Sequence, residues 1–113
     1  MQRRDEVCLQ KILKEIDICE ELLSGVQLDE FVDSEILKRA VSMTVINVGE
    51  LIKNISEEVR VEHPEVPWKA IAGLRDITAH RYQTLRMEDV YIFSKEDFVV
   101  LKHQLEEILT GDN

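Results

Sequence analysis

The chain has 113 residues, of which 44% are hydrophobic and 33% are charged. This is enough apolar sequence for one domain with a hydrophobic core, and it excludes a disordered tail or a collagen-like fibre. Aromatic residues make up only 5% of the chain, and 4 Gly and 2 Pro are present. A β-sandwich or β-barrel needs frequent turns and is therefore disfavoured. Composition predicts one all-α domain over residues 1–113.

The ends and the cysteines of the sequence indicate a cytoplasmic protein. No apolar run approaches the roughly 20 residues of a membrane span, and the N-terminus leads into an amphipathic pattern instead of a signal-peptide core. Cys8 and Cys19 would lie about 16 Å apart along one helix, too far to form a disulfide. Without a Cys-x-x-Cys or Cys/His cluster, both are interpreted as core residues of a reduced protein.

Two long helices are predicted in the first half of the chain. Apolar residues step by three and four over residues 2–24, and Ser24-Gly25 ends this first helix. Residues 26–32 are expected to form a short connection. Asp33-Ser34 then supplies an N-cap for a second helix of about 27 residues. Two such helices with a short link are expected to pack antiparallel in a bundle.

Shorter helices are predicted in the second half. Pro67 suits the first turn of a helix that has Trp68 as a core anchor and runs to about His80. A further short helix is expected over residues 87–93. Ser94, with Asp97 three residues later, resembles a capping box at the start of the last helix. The fold class is thus all-α, with two long antiparallel helices and about three shorter ones.

The acidic chain keeps one basic stretch. The net charge is −9, from 14 basic and 23 acidic residues. Residues 66–87 contain four basic residues and one acidic residue, a local charge of +3 that leaves −12 for the remainder. This favours a localised anion site on a body that otherwise repels polyanions. The alternative is chance clustering on a solvated face. The basic residues are Lys69, Arg75, Arg81 and Arg86.

Residues 75–82 bring together the groups that phosphodiester chemistry requires. Cleavage of RNA without a metal needs a base, an acid and a cation, which His80 and Arg75 can supply. Asp76 lies four residues before His80, on the same helical face, and can orient the imidazole. The alternative is that His80 is an ordinary helix-end residue and that Arg75 pairs with Asp76 or a surface Glu. No residues stand at metal-ligand spacing, and no cofactor motif is present.

The spacing of Arg75 and His80 predicts a dimer. The two side chains diverge by about 140° on an ideal helix. They can therefore meet at one phosphate only through the long Arg side chain or across a subunit interface. A two-fold axis would place both residues of both copies along one cleft.

The motif Arg75-x4-His80 resembles the Arg-x(4-6)-His signature of the HEPN superfamily. Tyr82 narrows the resemblance to HepT-like ribonuclease toxins, together with the preceding residues 67–74 and the Val48-Gly49-Glu50 sequence of the second helix. Many relatives carry Asn where this chain has Asp76. Gly49 costs about 1 kcal/mol relative to Ala inside a helix, so it indicates a close helix approach.

The resemblance implies a homodimeric HEPN-like bundle and a metal-independent endoribonuclease. Arg75 and His80 would be catalytic and Asp76 supporting, while Lys69, Arg81 and Arg86 would be RNA-binding candidates. It further implies a type VII toxin–antitoxin system. The partner would be an MntA-like nucleotidyltransferase antitoxin, which in some systems adds AMP to the tyrosine that matches Tyr82. RNA is the expected substrate, with no DNA, membrane or cofactor.

Two other function classes remain open at this point. The first is a catalytically inactive helical module that binds a nucleotidyltransferase, which the net charge and Asp76 favour to some degree. The second is a nucleotide-binding metabolic bundle, although the sequence has no Gly-rich phosphate loop. Salt dependence separates the first from an RNA enzyme, because phosphate contacts weaken steeply as salt rises.

Overall fold

The computed structural model describes residues 1–111, and this part of the chain is helical throughout, without strands. The helices are α1 (Arg3–Leu23), α2 (Leu28–Asp33), α3 (Glu35–Lys53), α4 (Glu57–Glu62), α5 (Trp68–His80), α6 (Met87–Ile92) and α7 (Phe98–Thr110), with a π-helical turn (Phe93–Asp97) between α6 and α7. The predicted all-α fold is confirmed.

Helix α3 lies at the centre of the bundle, with α1 and α5 as its most extensive neighbours. Helices α1 and α3 are antiparallel, as predicted. Cys8 near the start of α1 donates to the carbonyl of Leu51 near the end of α3, whereas Glu15 accepts from Asn47. Apolar positions of α1, α3 and α7 form one buried cluster. Its fully buried members include Leu9, Ile12, Ile16, Val41, Val48, Ile52, Phe98, Leu105 and Ile108.

The second long helix is shorter than predicted, because the chain breaks after Lys53 and starts again at Glu57. Ser56 caps α4 by accepting from the N–H of Val59. The backbone N–H and hydroxyl of Ser56 donate to the buried carboxylate of Asp5, at 2.9 and 2.8 Å. The apolar spacing of the sequence continues across the break, and Ile52, Ile55 and Val59 are all buried. The prediction of one 27-residue helix was wrong because the apolar spacing continues across the break and does not show it.

The end of α3 is held by Arg60 of α4. The guanidinium of Arg60 donates to the carbonyl oxygens of Ile52 (3.0 Å), Lys53 (3.1 Å) and Ile55 (3.1 Å). The last carbonyls of a helix have no partner within the helix, so this side chain satisfies groups that the break leaves open. It also fixes the position of Lys53, which becomes important at the site.

Residues 26–32 are not a simple connection. After Gly25, whose φ of +72° suits glycine, the chain forms the short helix α2. The carboxylate of Glu30 accepts from the N–H of Gln27 at 2.9 Å, which closes the first turn of α2, and Phe31 is fully buried. Ser34 then caps α3 by accepting from the N–H of Leu37, as predicted.

The last helix has no capping box. Helix α6 continues through the π-helical turn into α7, and Ile92 and Phe98 at its borders have helical backbone angles. Ser94 is 4% exposed, so its side chain faces the core and is not available as a cap. The rings of Phe93 and Phe98 pack edge to face across this turn, with centroids 4.9 Å apart. The prediction of a capped helix start at Ser94 was wrong.

Cys8 and Cys19 are free, buried thiols, as predicted, and burial raises the pKa of each above its ordinary value. Trp68 is buried as a core anchor, and its indole N–H donates to the carbonyl of His63. Among residues 1–111, none of the helices is long and apolar enough to cross a membrane.

Candidate active site

The candidate site lies where α3 and α5 approach most closely. Gly49 is the point of contact, because a Cβ at this position would collide with the Cβ of Arg75 and lie 3.1 Å from the carbonyl oxygen of Ile71. The close helix approach predicted from Gly49 is confirmed. It places the side chains that follow Gly49 on α3 beside those that follow Arg75 on α5.

Four charged side chains of alternating sign connect the two helices. The Nε of Arg75 lies 2.8 Å from an oxygen of Glu50, and a terminal nitrogen of the same guanidinium lies 3.3 Å from Oδ1 of Asp76. That oxygen is also 2.7 Å from the Nζ of Lys53. We call the series Glu50, Arg75, Asp76 and Lys53 the charge chain. It contains two cations and two anions, so it is neutral overall.

The charge chain keeps Asp76 ionised. The hydrogen bond from Lys53 and the charge of that ammonium, with a further contribution from Arg75, lower the pKa of Asp76 below its ordinary value. The carboxylates of Glu50 and Asp76 are about half exposed. Solvent-exposed ion pairs contribute little to folding, so a phosphate can compete for the Arg75 guanidinium.

His80 is the last residue of α5 and is exposed to solvent. Within residues 1–111 its imidazole makes no hydrogen bond or ion pair. Asp76 is bonded to Lys53 and Arg75 and has no contact with His80, so a single chain does not contain the predicted orienting bond. Both ring nitrogens of His80 are therefore free to act on a substrate or to meet groups of a second copy.

Tyr82 follows α5 and packs against the first half of α3. The guanidinium of Arg39 lies 5.6 Å from the centre of the Tyr82 ring, and the phenol oxygen is buried. Burial, and then the charge of Glu35, raise the pKa of Tyr82. A cavity of about 200 Å³ between the ring and α3 is lined by Arg39, Ser42, Met43, Ile46, Thr78, Ala79 and Tyr82.

The three other basic residues of the stretch are exposed to solvent. Lys69 lies eleven residues before His80 on α5, which is about 16 Å along the helix axis. Arg81 directly follows α5, and Arg86 precedes α6. Arg81 and Arg86 flank the turn that carries Tyr82, so they lie nearer to His80 in sequence than Lys69 does.

The sequence reasoning left Lys53 out of the site. Lys53 follows Gly49 by four residues and Glu50 by three, and this spacing on the face that meets α5 was the available signal. Glu50 was noted only through the family resemblance, with an interface or solvated role as the equal alternative. Among the described residues, no group of three or more His, Cys, Asp or Glu lies in an arrangement that could hold a metal ion.

Comparison with known proteins decides the family. The family profile described as "Ribonuclease HepT-like" matches residues 12–108. The chain belongs to the HepT-like ribonuclease family. The resemblance based on Arg75, His80 and Tyr82 is confirmed at this level, and the charge chain is thus a feature of a HepT-like protein.

Curated relatives of this HepT-like chain match over most of their own length. A protein of Caldanaerobacter subterraneus subsp. tengcongensis named "Putative RNase TTE0752" is 34% identical over 89% of this chain and 90% of its own length. The "Probable ribonuclease HepT" of Thermococcus cleftensis is 29% identical over 96% of this chain and 98% of its own length. No solved structure matches the chain significantly.

Proposed function

We propose that this HepT-like chain is a metal-independent endoribonuclease. It acts as a homodimer in which each copy is a single HEPN-like domain. The observation that carries the proposal is an exposed, unengaged His80 on the same helix as a partly exposed Arg75 that Glu50 and Asp76 hold in place. Membership of a ribonuclease family supplies the reaction class. Asp76 is a supporting residue through its bond to Arg75.

The proposed reaction is an internal transesterification of RNA. His80 of one copy removes the proton of a 2'-hydroxyl, and the resulting oxygen attacks the adjacent phosphorus. The bond from phosphorus to the 5'-oxygen breaks, and His80 of the second copy donates a proton to this leaving oxygen. The products are a 2',3'-cyclic phosphate and a 5'-hydroxyl. Arg75 stabilises the negative charge that builds up on the non-bridging oxygens.

Arg75 retains free donors for this task. A guanidinium has five N–H groups. One terminal nitrogen of Arg75 donates to Asp76, and the buried Nε forms an ion pair with Glu50 without the geometry of a hydrogen bond. The remaining N–H groups can bind two phosphate oxygens side by side. Glu50 would then fix the plane of the guanidinium while its outer edge meets the substrate.

The surface beside the site supports the homodimer. Ile36 and Met43, seven residues apart on one face of α3, are 81% and 53% exposed, and Ile77 of α5 is 48% exposed. Exposed apolar side chains on α3 and α5, the two helices that carry the site, are typical of a surface that a partner covers. A two-fold interface there would bring the two His80 side chains toward a common cleft.

We further propose that the chain is the toxin of a type VII toxin–antitoxin pair, with an MntA-like nucleotidyltransferase as antitoxin. The phenol oxygen of Tyr82 would attack the α-phosphorus of ATP, with loss of its proton and release of pyrophosphate. Because this oxygen is buried against α3, the turn around Tyr82 must move for the transfer to occur. The attached AMP adds bulk and negative charge two residues from His80.

RNA cleavage by the purified protein in EDTA tests the nuclease proposal. We expect His80→Ala and Arg75→Ala to abolish cleavage, whereas His103→Ala, at an exposed histidine of α7, leaves it unchanged. Products ending in a 2',3'-cyclic phosphate are expected. Equal cleavage by the wild type and His80→Ala would show that the activity comes from a contaminant or another site.

Incubation with a candidate nucleotidyltransferase and ATP tests the toxin proposal. We expect a mass gain of one AMP on the wild type, none on Tyr82→Phe, and loss of RNA cleavage in step with the modification. Modification of Tyr91 instead, in a Tyr82→Phe background, would contradict the assignment. Tyr91 is the matched control because its hydroxyl is already bonded to the carbonyl of Val26.

The neutral charge chain favours one second candidate, an inactive module that binds the nucleotidyltransferase. In that case no variant would differ in RNA cleavage. The complex with the nucleotidyltransferase would form with little dependence on salt, because its affinity would come from apolar area. An RNA enzyme instead loses RNA binding steeply as salt rises.

A further inference from the structure

We propose that Lys53 is a positioning residue of the ribonuclease site, which holds Asp76 so that Arg75 remains available to the substrate phosphate. This inference rests on the proposed function and deepens it. The Nζ of Lys53 lies 2.7 Å from Oδ1 of Asp76, whereas the nearest nitrogen of Arg75 lies 3.3 Å from the same oxygen. Asp76 is therefore bonded more closely to Lys53 than to Arg75.

The geometry shows what Lys53 prevents. The carboxylate of Asp76 already lies against the guanidinium, with Oδ1 3.3 Å from a terminal nitrogen of Arg75. Without Lys53, Arg75 would be the only cation bonded to Asp76. A phosphate would then have to displace the Asp76 carboxylate from Arg75. The site would also contain an uncompensated negative charge, which repels RNA. Lys53 removes both obstacles without contacting Arg75.

The backbone of Lys53 is held firmly enough for this role. Lys53 is the last residue of α3, where a cation is favoured by the carbonyl ends of the helix. Its own carbonyl and that of Ile52 accept hydrogen bonds from Arg60. The break between α3 and α4 therefore does more than end a helix, because it fixes the lysine that faces Asp76.

A double-mutant cycle tests the proposal with a short RNA oligonucleotide as the substrate. Lys53→Gln is expected to lower kcat/KM by roughly tenfold, mainly through KM, because Asp76 then competes for Arg75. Asp76→Asn alone provides the reference activity for the cycle. The double variant should match Asp76→Asn, since no carboxylate is left to hold. Lys53→Arg should retain most of the activity, and Lys102→Gln on α7, at a lysine paired with Glu20, is the control for general loss of positive charge.

Two outcomes would overturn the proposal. A loss from Lys53→Gln that is equally large in the Asp76→Asn background would mean that Lys53 binds RNA directly. Wild-type activity in Lys53→Gln would mean that the contact has no role. Carbon-detected NMR titration of Asp76 provides a readout without RNA, since the pKa of this carboxyl should rise in Lys53→Gln.

Failure of the proposed function has a different signature. If the wild type cleaves no RNA and resembles His80→Ala, the proposed nuclease function is wrong. The proposed positioning role of Lys53 is then wrong as well. If the wild type cleaves RNA in a way that requires His80, the cycle decides on Lys53 alone. Circular dichroism and thermal unfolding of each variant show whether a loss of activity reflects a loss of fold.

Discussion

Gly49 of α3 faces Arg75 of α5 so closely that there is no room for a methyl group between the two helices. The backbone of α3 itself therefore sets where the Arg75 side chain begins. Glu50, the next residue on α3, then reaches the guanidinium at 2.8 Å. The position of the candidate catalytic arginine depends on this helix contact as much as on its own helix.

Gly49→Ala should separate the two helices. Overpacking costs about 1–3 kcal/mol, and the better helix propensity of Ala returns up to about 1 kcal/mol. We expect a net loss of about 1–2 kcal/mol in the free energy of unfolding, measured by urea denaturation, together with a larger fractional loss of RNA cleavage. Gly73→Ala on α5 is the matched control, because a Cβ there meets nothing within 4 Å. It should be neutral or stabilising.

Glu50→Gln should loosen the Arg75 guanidinium without unfolding the protein. Glu50 is 54% exposed, so we expect the free energy of unfolding to change by less than about 0.5 kcal/mol. RNA cleavage should fall because Arg75 is no longer oriented, with the larger effect on kcat. Glu62→Gln, at an exposed end of α4, serves as the control. A Glu50→Gln variant with wild-type kcat would show that Glu50 is only a surface partner.

The Asp76 contacts predict a pH dependence of stability with a defined sign. The pKa of Asp76 is lowered in the folded protein, so its contribution to stability is present above the ordinary value for Asp and is lost as pH falls through the folded value. The difference in free energy of unfolding between the wild type and Asp76→Asn should thus be constant near pH 7. It should begin to fall as pH drops toward about 4, the ordinary value for Asp, and be lost only below the lower folded value. High salt at pH 7 should reduce it as well.

Asp5→Ala should be among the most destabilising removals of a charged side chain in this chain. Asp5 is 2% exposed and accepts two hydrogen bonds from Ser56. Leaving these donors without a partner costs about 2–3 kcal/mol, and α4 should lose protection first. Hydrogen exchange at Val59 and Arg60 would show this. Glu6→Ala, at a neighbouring exposed pair, should change stability by less than about 0.5 kcal/mol.

Local patterns predicted most of the helices. The errors arose where a contact between residues far apart in the sequence determines the structure. The start of α3 at Ser34 and the path of α5 follow from caps and apolar spacing within a few residues. The break at Ser56 depends on Asp5, which lies 51 positions earlier in the chain. Ser94 and Asp97 had the spacing of a capping box, but burial of Ser94 in the core removes the cap. No local window contains either fact.

The candidate site likewise contains residues that a local motif reveals and one residue that only a contact distant in sequence reveals. Arg75, His80 and Tyr82 lie within one short motif, which was sufficient to indicate the family. Lys53 lies 23 positions before the carboxylate that it holds, so no motif contains both. Asp76 seemed the natural partner of His80 from helical spacing alone. The approach of α3 at Gly49 brought Lys53 to it instead.

The two buried thiols of α1 give this protein built-in chemical reporters of its own opening. Cys8, 8% exposed, lies toward the start of α1, and Cys19, 1% exposed, lies toward its end. A thiol-labelling reagent that reaches only Cys8 would record fraying of the first turns of α1 beside the end of α3. Labelling of Cys19 would record release of the whole helix. The dynamics of the bundle can therefore be followed without adding a probe to the sequence.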